Sequence, residues 1–352
     1  MQATTRLNQA TSTTWMTLMT SSRGTMTLSQ ALSRYYAFFA CGDAVGKATE
    51  FMTLRDIRME IGSVTGLVDP KYSITHGNMP DWAVTDDTEQ NLWLLRRYLR
   101  DGDVTIANTV DELLKWIEAT DAVRKHYIGP SSLRALEGIK NGEDPLKAGL
   151  NGTTCGGIMR VPCAVFASLL LEKDLDACIY NSLVCTHNNS VALESAYGYA
   201  YALKLAISNA LEDKPQETTD EALFEAARTG CKVGASKAPW VSASATLAAR
   251  LDLIEGLEIK SWYDNKLKEF LYGVLGTGLP SYETSGAVFC FNLYTDNPMK
   301  IMFMAAECGG DTDTIGALAC SLSAMRNLEV QIPYEIVRPV VDNNNLSDFI
   351  KE

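Results

Sequence analysis

The strongest constraint on this chain is the period of its apolar residues. From Leu28 onward they recur at close to 3.6-residue spacing, and alternating strand patterns are scarce. The run LSQALSRYYAFFACGDAVG predicts a helix with Ser29 as N-cap and a break at Gly42. Thr88 to Leu99 places Leu92, Leu95 and Leu99 on one face, with Arg96, Arg97 and Arg100 near the C-terminal end, where cations suit the helix dipole. Residues 191–211 form a long alanine-rich stretch without Pro, and 315–325 a compact apolar helix with small residues for close packing. No internal repeat and no linker divides the chain. The expected architecture is all-α, one domain over residues 29–352, preceded by a Thr/Ser-rich extension over residues 1–28 in which Trp15, Met16, Leu18 and Met19 form a small apolar cluster. That extension reads either as a frayed tail or as a segment that orders on a partner.

Composition excludes several functions. The net charge of −12 repels phosphate backbones and there is no basic stripe to reverse it, so nucleic acid is not an expected partner. No apolar run approaches the roughly 18 residues that cross a bilayer, and the N-terminus lacks a signal-type apolar region, so no membrane association is expected. Nine scattered cysteines, none at metal-finger or redox spacing, fit buried thiols in a reducing cytosol, and a cytoplasmic location is expected.

Two acidic clusters carry the chemistry. Thr85-Asp86-Asp87-Thr88 precedes one predicted helix, and Gly309-Gly310-Asp311-Thr312-Asp313-Thr314 opens another. Asp and Thr are ordinary helix caps, but a cap needs one oxygen rather than several packed together. No Lys or Arg lies inside either cluster, so the carboxylates repel unless a cation sits among them. Oxygen donors without imidazole or thiolate suit Mg²⁺, Mn²⁺ or Ca²⁺ rather than zinc. An EF-hand loop starting at Asp311 fails, because its twelfth position is Leu322 instead of a bidentate Glu. Asp311-Thr312-Asp313-Thr314 also resembles the nucleophile motif of haloacid-dehalogenase-type phosphatases, but no strand–helix series follows it.

Five elements in order give the chain a recognisable form. They are Gly42-Asp43-Ala44-Val45-Gly46 with Glu50, Thr85-Asp86-Asp87-Thr88, Gly156-Gly157-Ile158-Met159-Arg160-Val161-Pro162, Thr186-His187, and Gly309 to Ala317. In this order they resemble the ADP-ribosylglycohydrolase family, all-α metal-dependent hydrolases that include the dinitrogenase-reductase-activating glycohydrolases. The resemblance implies a single orthogonal multi-helix domain with a dinuclear Mg²⁺ (or Mn²⁺) centre. By motif position its ligands are Thr85, Asp86, Asp87, Asp311, Asp313 and Thr314, with Glu50 beside them. Five carboxylates set against two dications nearly balance in charge.

The implied reaction hydrolyses the bond between C1″ of a terminal ribose and a modified protein side chain, arginine by the wording of the acidic motifs. Glu50 or Asp313 takes the proton of the attacking water; Glu50 taken alone also reads as a surface carboxylate. Gly156 and Gly157 can bring backbone N–H groups to a pyrophosphate or form an ordinary tight turn. His187 is placed as a hydrogen-bond donor near the diphosphate or adenosine, with plain packing as the alternative. Tyr282 and Glu283 are placed along the substrate cleft, or Tyr282 in the core. His76 and His126 lie outside the motifs and receive no role.

Two features depart from the family pattern. Thr153-Thr154-Cys155 stands where many members have Asn-Gly, which here lies upstream as Asn151-Gly152, and some thirty residues precede the first motif. The extension suits an immunity protein that reverses the action of an ADP-ribosyltransferase toxin and also plugs it. The rival expectations are a catalytically inactive binding or inhibitory member, as with related lens crystallins, and a hydrolase of serine-linked or free ADP-ribose derivatives.

Overall fold

The computed structural model describes residues 25–350, apart from 125 and 126. Its longer helices are α1 (Leu28–Gly46), α2 (Asp86–Asp101), α3 (Ile106–Thr120), α4 (Pro130–Lys140), α5 (Val161–Leu170), α6 (Leu175–Leu183) and α7 (Ser190–Leu211). They continue with α8 (Asp220–Lys237), α9 (Leu247–Glu255), α10 (Asp264–Phe270), α11 (Ser281–Tyr294), α12 (Pro298–Ala306), α13 (Thr312–Arg326) and α14 (Tyr334–Asn343). No strand occurs among the described residues; one isolated antiparallel bridge joins Thr154 and Pro280. The all-α expectation holds. The extension over residues 1–28 lies almost wholly outside the described residues.

Most of these helices begin where the chain supplies a side-chain oxygen. Thr105, Asn189 and Thr219 cap α3, α7 and α8 by accepting a first-turn N–H. At α1 the cap is Thr27, two residues before the expected Ser29, because Thr27 and Gln30 make a reciprocal capping box. The predicted stripe on α2 also shifts. Leu92 and Leu95 are buried, but Tyr98 takes the inward position with its hydroxyl 2.7 Å from Thr109 Oγ1 on α3, which turns Leu99 to the rim.

Two helices are buried on every side over most of their length and form the centre. Every residue of α1 from Tyr35 to Gly46 and every residue of α13 from Thr312 to Met325 is buried. Gly42 does not break α1; it lets α1 and α13 cross at backbone contact. A Cβ at Gly42 would lie 2.7 Å from Gly316 O, and one at Gly46 would lie 2.4 Å from Thr312 O. Tyr35 and Tyr199 hydroxyls sit 2.8 Å apart, and Tyr199 donates to Leu318 O, so α7 is tied to the same crossing. All nine cysteines are buried free thiols. No described helix is long and apolar enough to cross a membrane.

Candidate active site

The α1–α13 crossing brings together clusters that are more than two hundred residues apart. Asp43 on α1 reaches the start of α2: its carboxylate accepts the backbone N–H of Thr85 at 3.0 Å, that of Thr88 at 3.2 Å and the Thr88 hydroxyl at 2.5 Å. A buried carboxylate from another helix thus satisfies first-turn N–H groups of α2 and orients Asp86 and Asp87. Thr85 also caps α2, its Oγ1 accepting from Asp87 N at 3.4 Å.

The second cluster is set by a turn that only glycine can make. Gly309 and Gly310 have φ of +77° and +82°, and a Cβ on Gly310 would meet Thr277 O at 2.2 Å. Asp311 follows at the head of α13, where its side chain makes no capping bond, so the ordinary cap explanation does not account for it. Its Oδ2 lies 3.3 Å from the Thr284 hydroxyl and its Oδ1 lies 3.1 Å from the Thr314 hydroxyl.

Both clusters meet at Thr314, whose Oγ1 is also 3.3 Å from Asp87 Oδ2. Asp87 Oδ1 is buried with no hydrogen-bond partner. Asp313 Oδ1 accepts from Thr314 N at 2.9 Å, and Asp313 Oδ2 lies 3.9 Å from His76 Nε2. Glu50 is buried; it accepts from the Thr75 hydroxyl, and its Oε2 lies 2.8 Å from His76 Nε2. One ligand atom each from Glu50, His76 and Asp313 lie within 4.8 Å of one another, a set that could hold a metal ion. His76 is therefore the residue that the sequence reading missed. It stands outside every motif, in an irregular loop with no periodicity to betray its direction.

The electrostatics agree with the geometry. Burial, reinforced by Glu50 and neighbouring aspartates, pushes Asp86 and Asp313 well above the usual carboxylate range; burial with Asp86, Asp43 and Asp311 does the same to Asp87. Asp311 is pushed up to about 7 by burial and by Glu50. The structure also supplies one cation that local sequence did not place here. Lys47 is fully buried, with its Nζ donating to Ala44 O and Asp81 O. Burial lowers its pKa to about 8 against the opposing pull of Asp43, Asp81 and Asp313. One ammonium cannot balance five clustered carboxylates. The donors are carboxylate and hydroxyl oxygens with one imidazole, His76, beside them, contrary to the imidazole-free set expected from the motifs. A mainly oxygen set of this kind, with a partnerless buried Asp87 oxygen, fits hard divalent cations.

The remaining candidates form the wall next to Asp311. Ser281 N donates to Thr153 O, Cys155 N to Leu279 O and Asp311 N to Thr277 O, so the 153–157 loop, the 277–284 segment and the second cluster are continuous. Gly156 and Gly157 are buried against the His187 ring, and a Cβ on either would come within 3.2 Å of it. His187 itself is fully buried, Nε2 lying 3.0 Å from Thr154 Oγ1 and Nδ1 2.8 Å from Thr186 Oγ1. Burial, with Arg160 nearby, holds its pKa well below the usual imidazole value. Both of its ring nitrogens are thus engaged by threonine hydroxyls. Tyr282 is partly exposed, with the Arg250 guanidinium 4.3 Å from its ring centroid. Glu283 Oε2 accepts Gly278 N at 2.9 Å, and its carboxyl fills the space where a Cβ on Gly276 would stand.

Among the described residues an all-helical fold brings two acidic loops to one buried group of carboxylates. The family model for ADP-ribosylglycohydrolase matches residues 33–352, and the chain belongs to that family. It is 29% identical over 289 residues to the uncharacterized protein YegU of Escherichia coli K12, covering 80% of this chain and 83% of that one. An uncharacterized protein of Archaeoglobus fulgidus is 25% identical over 295 residues, covering 83% and 86%. A solved structure described as an ADP-ribosylglycohydrolase-related protein complex aligns with a TM-score of 0.63 at 22% identity, over 92% of this chain and 96% of that one. This last likeness concerns the fold.

Proposed function

We propose that this protein is a metal-dependent hydrolase that removes ADP-ribose from modified protein side chains, with arginine as the linkage. One observation carries the proposal: Asp87 of the first cluster and Asp311 of the second lie within hydrogen-bond distance of the same Thr314 hydroxyl, while Asp87 Oδ1 has no partner. A protein selected only for packing gains nothing from five carboxylates pressed together out of water.

Thr85, Asp86, Asp87, Asp311, Asp313 and Thr314 are the residues that would hold the ions, two Mg²⁺ or Mn²⁺ by charge balance. When bound, such ions supply Lewis acidity and a template for vicinal ribose hydroxyls. Glu50 and Asp313 face the same space and stabilise positive charge as the ribose C1″ becomes oxocarbenium-like. Asp313 is held at Oδ1 by Thr314 N and Glu50 at Oε2 by Thr75 and His76, so each presents a fixed oxygen to a water or leaving group. The rest of the ADP-ribose is assigned to the neighbourhood of the Gly156–Gly157 loop and Tyr282, whose segments are joined to Asp311 by the backbone bonds at Cys155, Ser281 and Asp311.

The deciding experiment incubates the protein with arginine- and serine-ADP-ribosylated substrates, with and without Mg²⁺, and measures released ADP-ribose. Release from arginine substrates that depends on Mg²⁺ is expected. No release from either, with Mg²⁺-dependent binding retained, would instead make the protein an inactive binder. The proposal that residues 1–28 engage a cognate toxin is separate. It is tested by truncating them and measuring toxin binding and protection, and unchanged values would remove it.

A further inference from the structure

Glu50 follows a short 3-10 turn at the end of α1, beside like charges that should drive its flexible side chain out of the pocket. Asp86, Asp311 and Asp313 all carry the Glu50 charge as a cause of their raised pKa. Yet Glu50 stays inside, only 8% exposed. What holds it is a pair of adjacent residues from the loop before α2. The Thr75 hydroxyl donates to Oε2, His76 Nε2 lies 2.8 Å from the same oxygen, and no described residue donates to Oε1.

We propose that Thr75 and His76 act as a positioning clamp on Glu50, occupying Oε2 so that Oε1 is the basic oxygen turned toward the reacting ribose. The inference rests on reading this pocket as a glycosidic hydrolase site.

The clamp is itself anchored. His76 N donates to Ser73 Oγ at 3.1 Å, and the imidazole meets Tyr127 edge-on with ring centroids 6.1 Å apart. Tyr127 donates to Val84 O at 2.7 Å and stacks on buried Trp116, part of a small apolar cluster separate from the main core. The ring therefore has a fixed seat; in this clamp Nε2 carries the proton, so it is a donor to Oε2 and not a metal ligand. Two donors on one carboxylate oxygen draw negative charge onto it and make it the poorer base, which leaves Oε1 for proton transfer. His76 Nε2 also stands 3.9 Å from Asp313 Oδ2, so a proton on Nε2 would ease the repulsion between the two carboxylates. These roles are positioning ones: neither Thr75 nor His76 needs to touch substrate.

The test uses the full chain and three variants. His76→Phe keeps ring packing on Tyr127 and deletes the donor; His76→Gln restores an N–H near the same place; Thr75→Val removes a hydroxyl from an exposed position where folding is safe. With an ADP-ribosylated arginine substrate, His76→Phe should lower kcat about 100-fold while KM changes less than about threefold. His76→Gln should recover most of that loss, and Thr75→Val should lose about tenfold in kcat. In crystal structures Glu50 should leave its place in His76→Phe and keep it in His76→Gln. Equal losses in His76→Phe and His76→Gln, or full activity in Thr75→Val and His76→Phe, would overturn the clamp. If the wild type releases no ADP-ribose at all, the hydrolase reading fails on its own. The crystal structures then still decide the clamp, and an unmoved Glu50 in Thr75→Val and His76→Phe would refute it.

Discussion

Thr312 donates its hydroxyl hydrogen to the Gly46 carbonyl at 2.8 Å, and a methyl added at Gly46 would stand 2.4 Å from Thr312 O. The pair locks the end of α1 against the start of α13, and it does so at the residue next to Asp313. Backbone contact at this point is what allows Glu50 and the second acidic cluster to share one pocket.

Replacing Gly46 with Ala should therefore damage stability and site together. The new Cβ would also lie 2.5 Å from Asp313 Cα, so the helices must part. A loss of about 1–3 kcal/mol in urea unfolding is expected, as for overpacked cores. The Mg²⁺-induced rise in Tm should shrink in parallel. A variant with wild-type Tm and wild-type Mg²⁺ response would mean that the crossing tolerates a methyl and does not set the site.

Asp87→Asn should separate stability from function. The Asp87 carboxylate is raised by burial and by Asp86, Asp43 and Asp311, so removing its charge relieves a cost in the metal-free protein. In EDTA the variant should melt higher than wild type. With Mg²⁺ it should gain little, whereas the wild type should rise by several degrees at saturating ion. A variant that melts lower in EDTA and still responds fully to Mg²⁺ would contradict the assignment of Asp87 as a ligand.

The pH dependence follows from Asp311. Its carboxyl titrates near 7 in the folded protein, pushed up by burial and Glu50, and near about 4 when unfolded. Below about pH 4 both states hold the proton, and stability is unaffected. Between about 4 and about 7 the folded state keeps a proton that the unfolded chain has released, so the metal-free protein should lose stability as pH rises. A cation replaces that proton, so the Mg²⁺-induced Tm shift should be larger at pH 8 than at pH 6. Melting curves at the two pH values, with EDTA and with Mg²⁺, check both signs.

His187→Ala should be a folding mutation before it is a binding one. The ring fills the space beside Gly156 and Gly157, and both of its nitrogens pair with threonine hydroxyls. The cavity left by the ring and the loss of its bonds to Thr154 and Thr186 should cost about 1–3 kcal/mol in urea unfolding, although Thr186 keeps Arg160 and Leu183 O as partners. An unchanged unfolding curve with a raised KM would instead favour the direct substrate role.

Much of this could be read from the chain before any coordinates. Helical class followed from period, because a helix buries a stripe that repeats every 3.6 residues whatever its neighbours are. The acidic clusters were visible because carboxylates so close in sequence are close in space on any backbone. Errors arose where one residue can serve two purposes. Gly42 reads as a breaker by propensity, but in α1 it is a contact point, and propensity yields when a helix must approach another within backbone distance. Leu99 fits the α2 stripe by number, but Tyr98 claimed the inward position through its hydroxyl.

The order of motifs, their residue types and the family were thus determined by sequence, since each is a local matter of chemistry and spacing. Tertiary structure alone decided that Lys47 is buried among aspartates, that Asp43 reaches across to hold the first turn of α2, and that His76 closes on Glu50. Each of those contacts joins residues with no periodic or local relation to one another. Their meeting depends on where α1 and α13 cross and on how an irregular loop packs against Tyr127, and no short-range rule encodes either.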